Sequence, residues 1–306
     1  MLSMGLDIGG TKIEAVILDT QGKVLITHRI ATEKNDYQAF LTSLIQFIHT
    51  TQASFSEPVS IGLCLPGTED ISTKLIKNSN IEILNRQPLI QDLERNLQQP
   101  VAWDNDANCF TLSESTDGAA ADGGIVFGAI LGTGCGGGLS MNKTLWRGRN
   151  GNAGEWGHNP LPHYNALKDG AAVKCYCGQF NCTESYISGS GLARQFALIS
   201  GNYLDARTVF TLISQRDPVA ISLFSLFRNQ LARALAAVIN IYDPDIIVVG
   251  GGLSRVPTIF SGLNEEVGKY VFNTHCETPI VPAMHGDSSG VRGAAWLGRD
   301  TLTKTR

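Results

Sequence analysis

The sequence predicts an α/β protein built as two similar halves, and three observations carry that reading. Short apolar strands alternate with helical patterns through the first hundred residues. The length of 306 residues exceeds what one hydrophobic core usually serves. Glycine, at 33 residues, stands above its ordinary share of about 7% and gathers in loops after strands in both halves.

The elements follow in order. Residues 4–8, 12–18 and 24–30 read as strands, the last two joined by the Asp19-Thr-Gln-Gly22 turn. Residues 37–49 carry Phe40, Leu41, Leu44, Ile45 and Ile48 at helical spacing. Residues 59–65 form a strand ended by Pro66-Gly67, 89–97 a helix, 101–103 a short strand and 107–115 a helix. A second unit starts around residues 117–124, with paired strands over 124–131 and 136–140. Residues 142–185 are irregular, and a stretch that long is either functional or held by something other than a core. A long helix over 216–242 closes at Asp243-Pro244, and a buried strand over 246–249 runs into Gly250-Gly-Gly252. A helix over 257–272, a strand near 279–281 and a helix over 290–297 finish the chain. Gly293, Ala294 and Ala295 suit that last helix to a close return onto the first half.

Composition removes several function classes. Hydrophobic residues at 43% exclude whole-chain disorder. A net charge of −4 with no basic run opposes an electrostatic nucleic-acid partner or an anionic membrane surface. No apolar run approaches a membrane span, and no basic, cleavable signal opens the chain, so a cytoplasmic protein is expected. Seven cysteines, an odd number, do not read as a secreted disulfide framework. Cys64, Cys109 and Cys135 stand singly, but Cys175, Cys177 and Cys182 crowd together.

Three glycine loops point to phosphate. Asp7-Ile-Gly-Gly-Thr-Lys12 joins two strands, and its glycines let backbone N–H groups close on an anion. A tight hairpin is the simpler account, but Asp7 beside a phosphate cradle makes sense with Mg²⁺ between them. Gly132-Thr-Gly-Cys-Gly-Gly-Gly138 is a second such turn, with more small residues than a hairpin demands. Gly250-Gly251-Gly252 follows a strand and suits a flat ligand pressed on backbone.

Two polar clusters complete the inventory. Asp104-Asn-Asp-Ala-Asn108 sits at a strand-to-helix junction, where capping accounts for one residue but not for four polar groups in five. His158 with Cys175, Cys177 and Cys182 makes a Cys₃His set suited to zinc, a buried thiol cluster or redox pair being the other reading.

Together with Glu155-Trp-Gly-His158, these motifs resemble the ROK family (repressors, open reading frames, kinases) of the actin-like ATPase superfamily across the whole chain. The resemblance implies a two-domain actin-like, ribonuclease H-like fold with an interdomain cleft. The domains would be 1–116 plus 290–306, and 117–289. It implies ATP-dependent phosphorylation of a sugar hydroxyl. Asp106 would be the catalytic base, and Pro66, Gly67, Asn78, Asn105, Asp106, Glu155, His158 and Glu184 the sugar contacts. Gly9, Gly10, Thr11, Lys12, Gly132, Thr133, Gly134 and Gly136 would hold phosphates, with Gly251 and Gly252 near adenosine and Asp7 placing Mg²⁺ indirectly. His158, Cys175, Cys177 and Cys182 would hold a structural Zn²⁺, and His158 would touch the sugar as well. A homodimer is what the family suggests.

The chain departs from the family pattern at Asn181, where glycine is common, and in residues 78–84, which lack a frequent tryptophan. Family repressors carry an N-terminal helix-turn-helix, and here the phosphate motif already begins at Asp7, so a DNA-binding regulator is not expected. An actin-like ATPase or regulator without a sugar acceptor would have no use for Asn105, Asp106, Glu155 and Glu184 together. Trp156, residues 159–162, the Cys175-Tyr-Cys177-Gly178 run and residues 285–296 look most like bacterial fructokinases that also take mannose. N-acetylglucosamine kinase is the alternative, and glucose a more distant one.

Overall fold

The computed structural model describes residues 1–70, 72–273 and 275–303. The chain divides into two compact units, Met1–Gly118 with the chain from Asp287 onward, and Ala119–Gly286.

The first unit opens with β1 (Leu2–Ile8), β2 (Lys12–Leu18) and β3 (Val24–Ala31), followed by α1 (Tyr37–Gln52) and β4 (Val59–Leu65). A small ribbon, β5 (Thr68–Glu69) with β6 (Ile76–Lys77), precedes α2 (Leu89–Leu97), β7 (Val101–Asn105) and α3 (Asp106–Thr116). The sheet order is β3-β2-β1-β4-β7, antiparallel through the first two pairs and parallel from β1 to β7. Burial explains the composition. Every residue of the central β4 is buried, but β3 at the edge alternates with solvent. Met4, Leu6, Phe40, Leu44, Ile61, Leu63 and Leu93 share one core.

The second unit repeats the plan. It holds β8 (Ile125–Leu131), β9 (Cys135–Met141), β10 (Thr144–Leu145), α4 (Ala166–Asp169), α5 (Glu184–Ile187), α6 (Gly189–Ser200) and α7 (Ala206–Ser214). Then come α8 (Pro218–Tyr242), β11 (Ile246–Gly250), α9 (Leu263–Gly268) and β12 (Ile280–Pro282). Its sheet order, β10-β9-β8-β11-β12, has the same sequence of antiparallel then parallel pairs. Asp217 caps α8 by accepting from the Ala220 N–H, Pro218 sits at its first turn, and Asp243 ends it in a left-handed conformation. Phe127, Leu139, Tyr186, Phe227, Leu231, Leu235 and Val249 are in the core of this unit.

The last helix, α10 (Ser289–Thr303), packs in the first unit. A Cβ at Gly5 would lie 1.9 Å from the Val291 carbonyl oxygen, and one at Gly293 1.8 Å from that of Cys109. Backbone meets backbone there, and only glycine allows it.

One expected element differs. The helix over 257–272 is broken into a 3₁₀ turn, Pro257–Ile259, and the short α9. Gly262 between them has φ +66°, a left-handed conformation that no helix interior accommodates. Among the described residues, no helix is long and apolar enough to cross a membrane.

Candidate active site

In the first unit the functional residues gather where parallel strands end, the usual place for ligands on an open α/β sheet. Register sets Asp7, Cys64 and Asp104 side by side on β1, β4 and β7. The Gly9–Thr11 loop is tied at its base: the Gly9 N–H donates to the Lys12 carbonyl at 3.0 Å, and the Thr32 hydroxyl to the Gly9 carbonyl at 2.7 Å. Thr11 and Lys12 are exposed, and a Cβ at Gly10 would meet nothing within 4 Å. No neighbour within the fold demands glycine at position 10, which leaves room for an incoming ligand.

Asp104, Asn105, Asp106 and Asn108 divide their work. The Asn108 backbone N–H donates to Asn105 Oδ1 at 2.8 Å, the N-cap of α3. Buried Asp104 accepts from the Asn105 N–H at 2.9 Å and from Asn108 Nδ2 at 2.7 Å. Local structure thus engages three of the four polar residues, more than the one that capping was expected to explain. Asp106 remains exposed, with one oxygen accepting from the Ala107 N–H at 2.9 Å. Asn105 uses its amide oxygen in the cap, which leaves the amide nitrogen as its side-chain donor.

Two carboxyls here titrate high. Burial lifts Asp7 above the ordinary range and the hydrogen bond from Cys64 opposes it, while the charges of Asp106 and Glu14 add to the rise. Desolvation by the protein around it raises Asp106, against the Ala107 N–H. A divalent cation nearby would reverse both shifts. Pro66 and Gly67 follow β4, and a Cβ at Gly67 would lie 2.7 Å from the Lys77 carbonyl oxygen and 2.9 Å from the Ser79 nitrogen. The exposed Asn78, at φ +58°, therefore stands beside Pro66-Gly67.

In the second unit the remaining predicted residues converge on one hairpin turn. Gly132, Thr133 and Gly134 link β8 to β9, and the Gly132 N–H donates to the Gly134 carbonyl at 3.0 Å. Gly251, at φ +80°, packs on it so closely that a Cβ would lie 2.5 Å from the Leu131 carbonyl oxygen. Gly252 and Thr133 are exposed, and a Cβ at Gly132 or Gly252 would meet nothing within 4 Å. Glu155 precedes a 3₁₀ turn, Trp156–His158, which packs against the other side of the hairpin. Trp156 Nε1 donates to the Gly136 carbonyl at 2.8 Å, and a Cβ at Gly157 would lie 2.3 Å from the Cys135 carbonyl oxygen. Gly137 meets Gly154 in the same way. Part of the glycine richness of 132–138 thus serves this packing rather than an anion.

The donor atoms of His158, Cys175, Cys177 and Cys182 all lie within 4.8 Å of one another. His158 Nδ1 is 3.7 Å from Cys175 Sγ, and Cys177 Sγ is 3.5 Å from Cys182 Sγ. Three thiols and one imidazole nitrogen facing a common point fit a tetrahedral zinc. The other imidazole nitrogen, Nε2, is 3.0 Å from the Tyr176 hydroxyl, a partner that spacing does not suggest. Asn181 adopts φ +59°, the conformation a glycine would have, and its Oδ1 accepts from the Val173 N–H and the Tyr186 hydroxyl, both at 2.9 Å. Glu184, two residues past Cys182, reaches back to the hairpin and accepts from the Cys135 N–H at 2.8 Å. Thr32 and Cys64 are site neighbours outside every motif, while Cys135 and Tyr176 lie inside the second glycine loop and the cysteine run with no role expected of them. Register between predicted strands could have found Cys64.

Residues 3–301 match the ROK family, and the chain belongs to it. It is 37% identical over 298 residues to N-acetyl-D-glucosamine kinase of Haemophilus influenzae, covering 96% of this chain and 98% of that one. It is 38% identical over 295 residues to an N-acetylgalactosamine kinase of Shewanella sp., covering 96% of each. The ROK hexokinase structure from Thermus thermophilus superposes with a TM-score of 0.87 at 28% identity, over 99% of this chain and 100% of that one. The fold is that of the actin-like ATPase superfamily, and the protein is an ATP-dependent sugar kinase.

Proposed function

We propose that this ROK-family kinase transfers the γ-phosphoryl group of ATP to the 6-hydroxyl of an N-acetylhexosamine, first of all N-acetyl-D-glucosamine. The two curated relatives described above act on N-acetylated hexosamines, so they favour this sugar over the fructose expected from residues 159–162 and 285–296. One observation carries the mechanism: at the end of β7, Asp106 alone presents an exposed carboxylate while Asp104, Asn105 and Asn108 are engaged locally.

Phosphoryl transfer asks for positioning and charge neutralisation more than covalent help. The sugar oxygen bonds to the γ-phosphorus, the bond to the bridging oxygen of ADP breaks, and the hydroxyl proton passes to Asp106. Mg²⁺ supplies charge neutralisation on the phosphates, and Asp7 is the carboxylate to place it. Within the first unit Gly10, Thr11 and Lys12 offer donors to phosphate, Gly9 holding the base of their loop; within the second, Thr133, Gly134 and Gly136 are given the same role, Gly132 closing their turn. Gly251 and Gly252 leave space for adenosine. Pro66, Gly67, Asn78, Asn105, Glu155 and Glu184 are the proposed sugar contacts, and His158 joins them only by exchanging the Tyr176 hydroxyl on Nε2 for a sugar hydroxyl. An ADP-release assay over N-acetyl-D-glucosamine, N-acetyl-D-galactosamine, D-fructose, D-mannose and D-glucose tests the sugar. The N-acetylated hexosamines are expected to give the highest kcat/KM; a clear preference for fructose would reinstate the other reading.

His158, Cys175, Cys177 and Cys182 hold a structural zinc in this proposal, with four protein ligands and no open position. It orders the segment that carries Glu155 and Glu184. Elemental analysis is expected to find about one zinc per chain, as four ligands make one site. In Cys177→Ser the zinc content should fall and the sugar KM rise together. A zinc-free, fully active protein would remove the assignment.

A further inference from the structure

Resting on the reading of Glu184 as a sugar ligand and of 132–136 as the phosphate loop, we propose that Glu184 is also a positioning residue for that loop, and that it couples sugar binding to nucleotide binding. The Cys135 N–H donates to its Oε2 at 2.8 Å. A Cβ built on Gly134 would lie 2.7 Å from that same oxygen and 3.5 Å from Cδ, so the carboxylate lies flat on the turn and glycine is what admits it. The backbone beyond α5 is laced to the same turn. The Gly189 N–H donates to the Gly132 carbonyl at 2.8 Å, and the Ser190 N–H to the Thr133 carbonyl at 3.3 Å.

This arrangement has a physical consequence. A glutamate in a loop ordinarily samples several rotamers, and ordering it opposes any ligand that needs it. Here the turn has already fixed one oxygen, which aims the other. A sugar hydroxyl that donates to Oε1 then loads a carboxylate whose Oε2 orients the Gly134–Cys135 peptide. In the other direction, phosphates that draw the turn into place also set Oε1 for the sugar. Whatever factor the sugar adds to nucleotide affinity, the nucleotide adds to sugar affinity, within the usual range of about 5–150-fold.

Calorimetric titration of a non-hydrolysable ATP analogue with Mg²⁺, with and without saturating N-acetyl-D-glucosamine, separates the two roles. In Glu184→Ala the affinity for the analogue without sugar is expected to fall about tenfold, the loss of one charge-assisted hydrogen bond, and the sugar should no longer enhance it. Glu184→Gln keeps a carbonyl oxygen for the Cys135 N–H, so analogue affinity should stay near wild type while sugar affinity drops. Gly134→Ala pushes the carboxylate away from the loop side and should weaken sugar binding. If Glu184→Ala binds the analogue as tightly as wild type without sugar, or Gly134→Ala leaves sugar affinity untouched, the positioning role is overturned. If Glu184→Ala leaves sugar affinity unchanged, it is the sugar-ligand reading that fails instead. Melting temperature and zinc content of each variant check its fold, and where Glu184→Ala is unfolded the other two variants decide.

Discussion

Asp106→Asn is expected to lower kcat by about 10²–10⁴-fold, the usual contribution of a positioned general base, while the sugar still binds. Asparagine retains an oxygen for the Ala107 N–H and stays at the first position of α3, so the helix start is preserved. It cannot take the hydroxyl proton. The pH profile of kcat/KM, which reports the enzyme before Mg²⁺ and ATP arrive, should carry an acidic limb above the ordinary carboxylate range, because desolvation raises the Asp106 pKa from 3.8. Stability should move the opposite way from activity. The folded chain keeps this proton to higher pH than the unfolded one, so the native state binds more protons across that window and stability falls as pH rises through it. At neutral pH the charged carboxylate is therefore a standing cost, made small by its exposure to solvent, and Asp106→Asn is expected to melt only slightly above the wild type at pH 7. The gap should close below pH 3.8, where both states of the wild type are protonated. Turnover retained in the variant would remove Asp106 as the base.

Much of the fold was legible because its strands are either uniformly apolar or end at glycine and proline. Residues 12–18, 59–65 and 89–97 are elements with those same bounds. What failed was the helix over 257–272. Its apolar spacing is adequate, but Gly262 takes a left-handed φ that depends on packing and not on pattern. The helices α5, α6 and α7 carry weaker signals: α5 has four residues, and α6 begins with Gly189, Ser190 and Gly191.

The site was legible as types of residue and less so as roles. Spacing put His158 with Cys175, Cys177 and Cys182, and their donor atoms do lie within 4.8 Å of one another. It could not show that Asn105 and Asp104 act inside their own helix start, because an N-cap and a ligand are the same residue types. Nor could it say which glycines of 132–138 stand open and which face the Glu155–His158 turn, as a glycine names a close approach and not its partner. Choice among hexoses depends on pocket volume at one substituent. That lies in side-chain placement, which spacing in the sequence does not fix.

The irregular stretch between His158 and Cys175 is anchored by a second device, and breaking it should produce the largest loss of stability. Arg233 on α8 donates to Asp169 Oδ1 at 2.5 Å and to Oδ2 at 3.2 Å, and also to the carbonyls of Pro162 and His163. Gln230 adds a bond to Asp169 Oδ1 at 3.2 Å. The two charged side chains are 2% and 0% exposed. Arg233→Met removes the cation but leaves a buried carboxylate and two carbonyls to find other donors, which is expected to cost about 3–5 kcal/mol in urea unfolding. Adding Asp169→Asn should recover part of that loss, since the uncompensated charge disappears. The pH dependence separates this from simple loss of packing. Burial alone would raise the Asp169 pKa, but the bonds from Arg233, the Asn165 N–H and Gln230 outweigh it and hold the carboxyl below 3.8. In the wild type that contribution is present above pH 3.8 and is lost as pH falls through the depressed folded value. Without Arg233 burial prevails and the sign reverses, so the deficit of Arg233→Met should shrink on acidification. A deficit that is small, or that is the same at pH 7 and pH 4, would mean that the pair does not anchor this segment. The proposed zinc should follow: Asp169 lies between His158 and Cys175 in the chain, so loosening it separates two of the four candidate donors, and zinc-loaded Arg233→Met is expected to lose metal to a chelator faster than the zinc-loaded wild type.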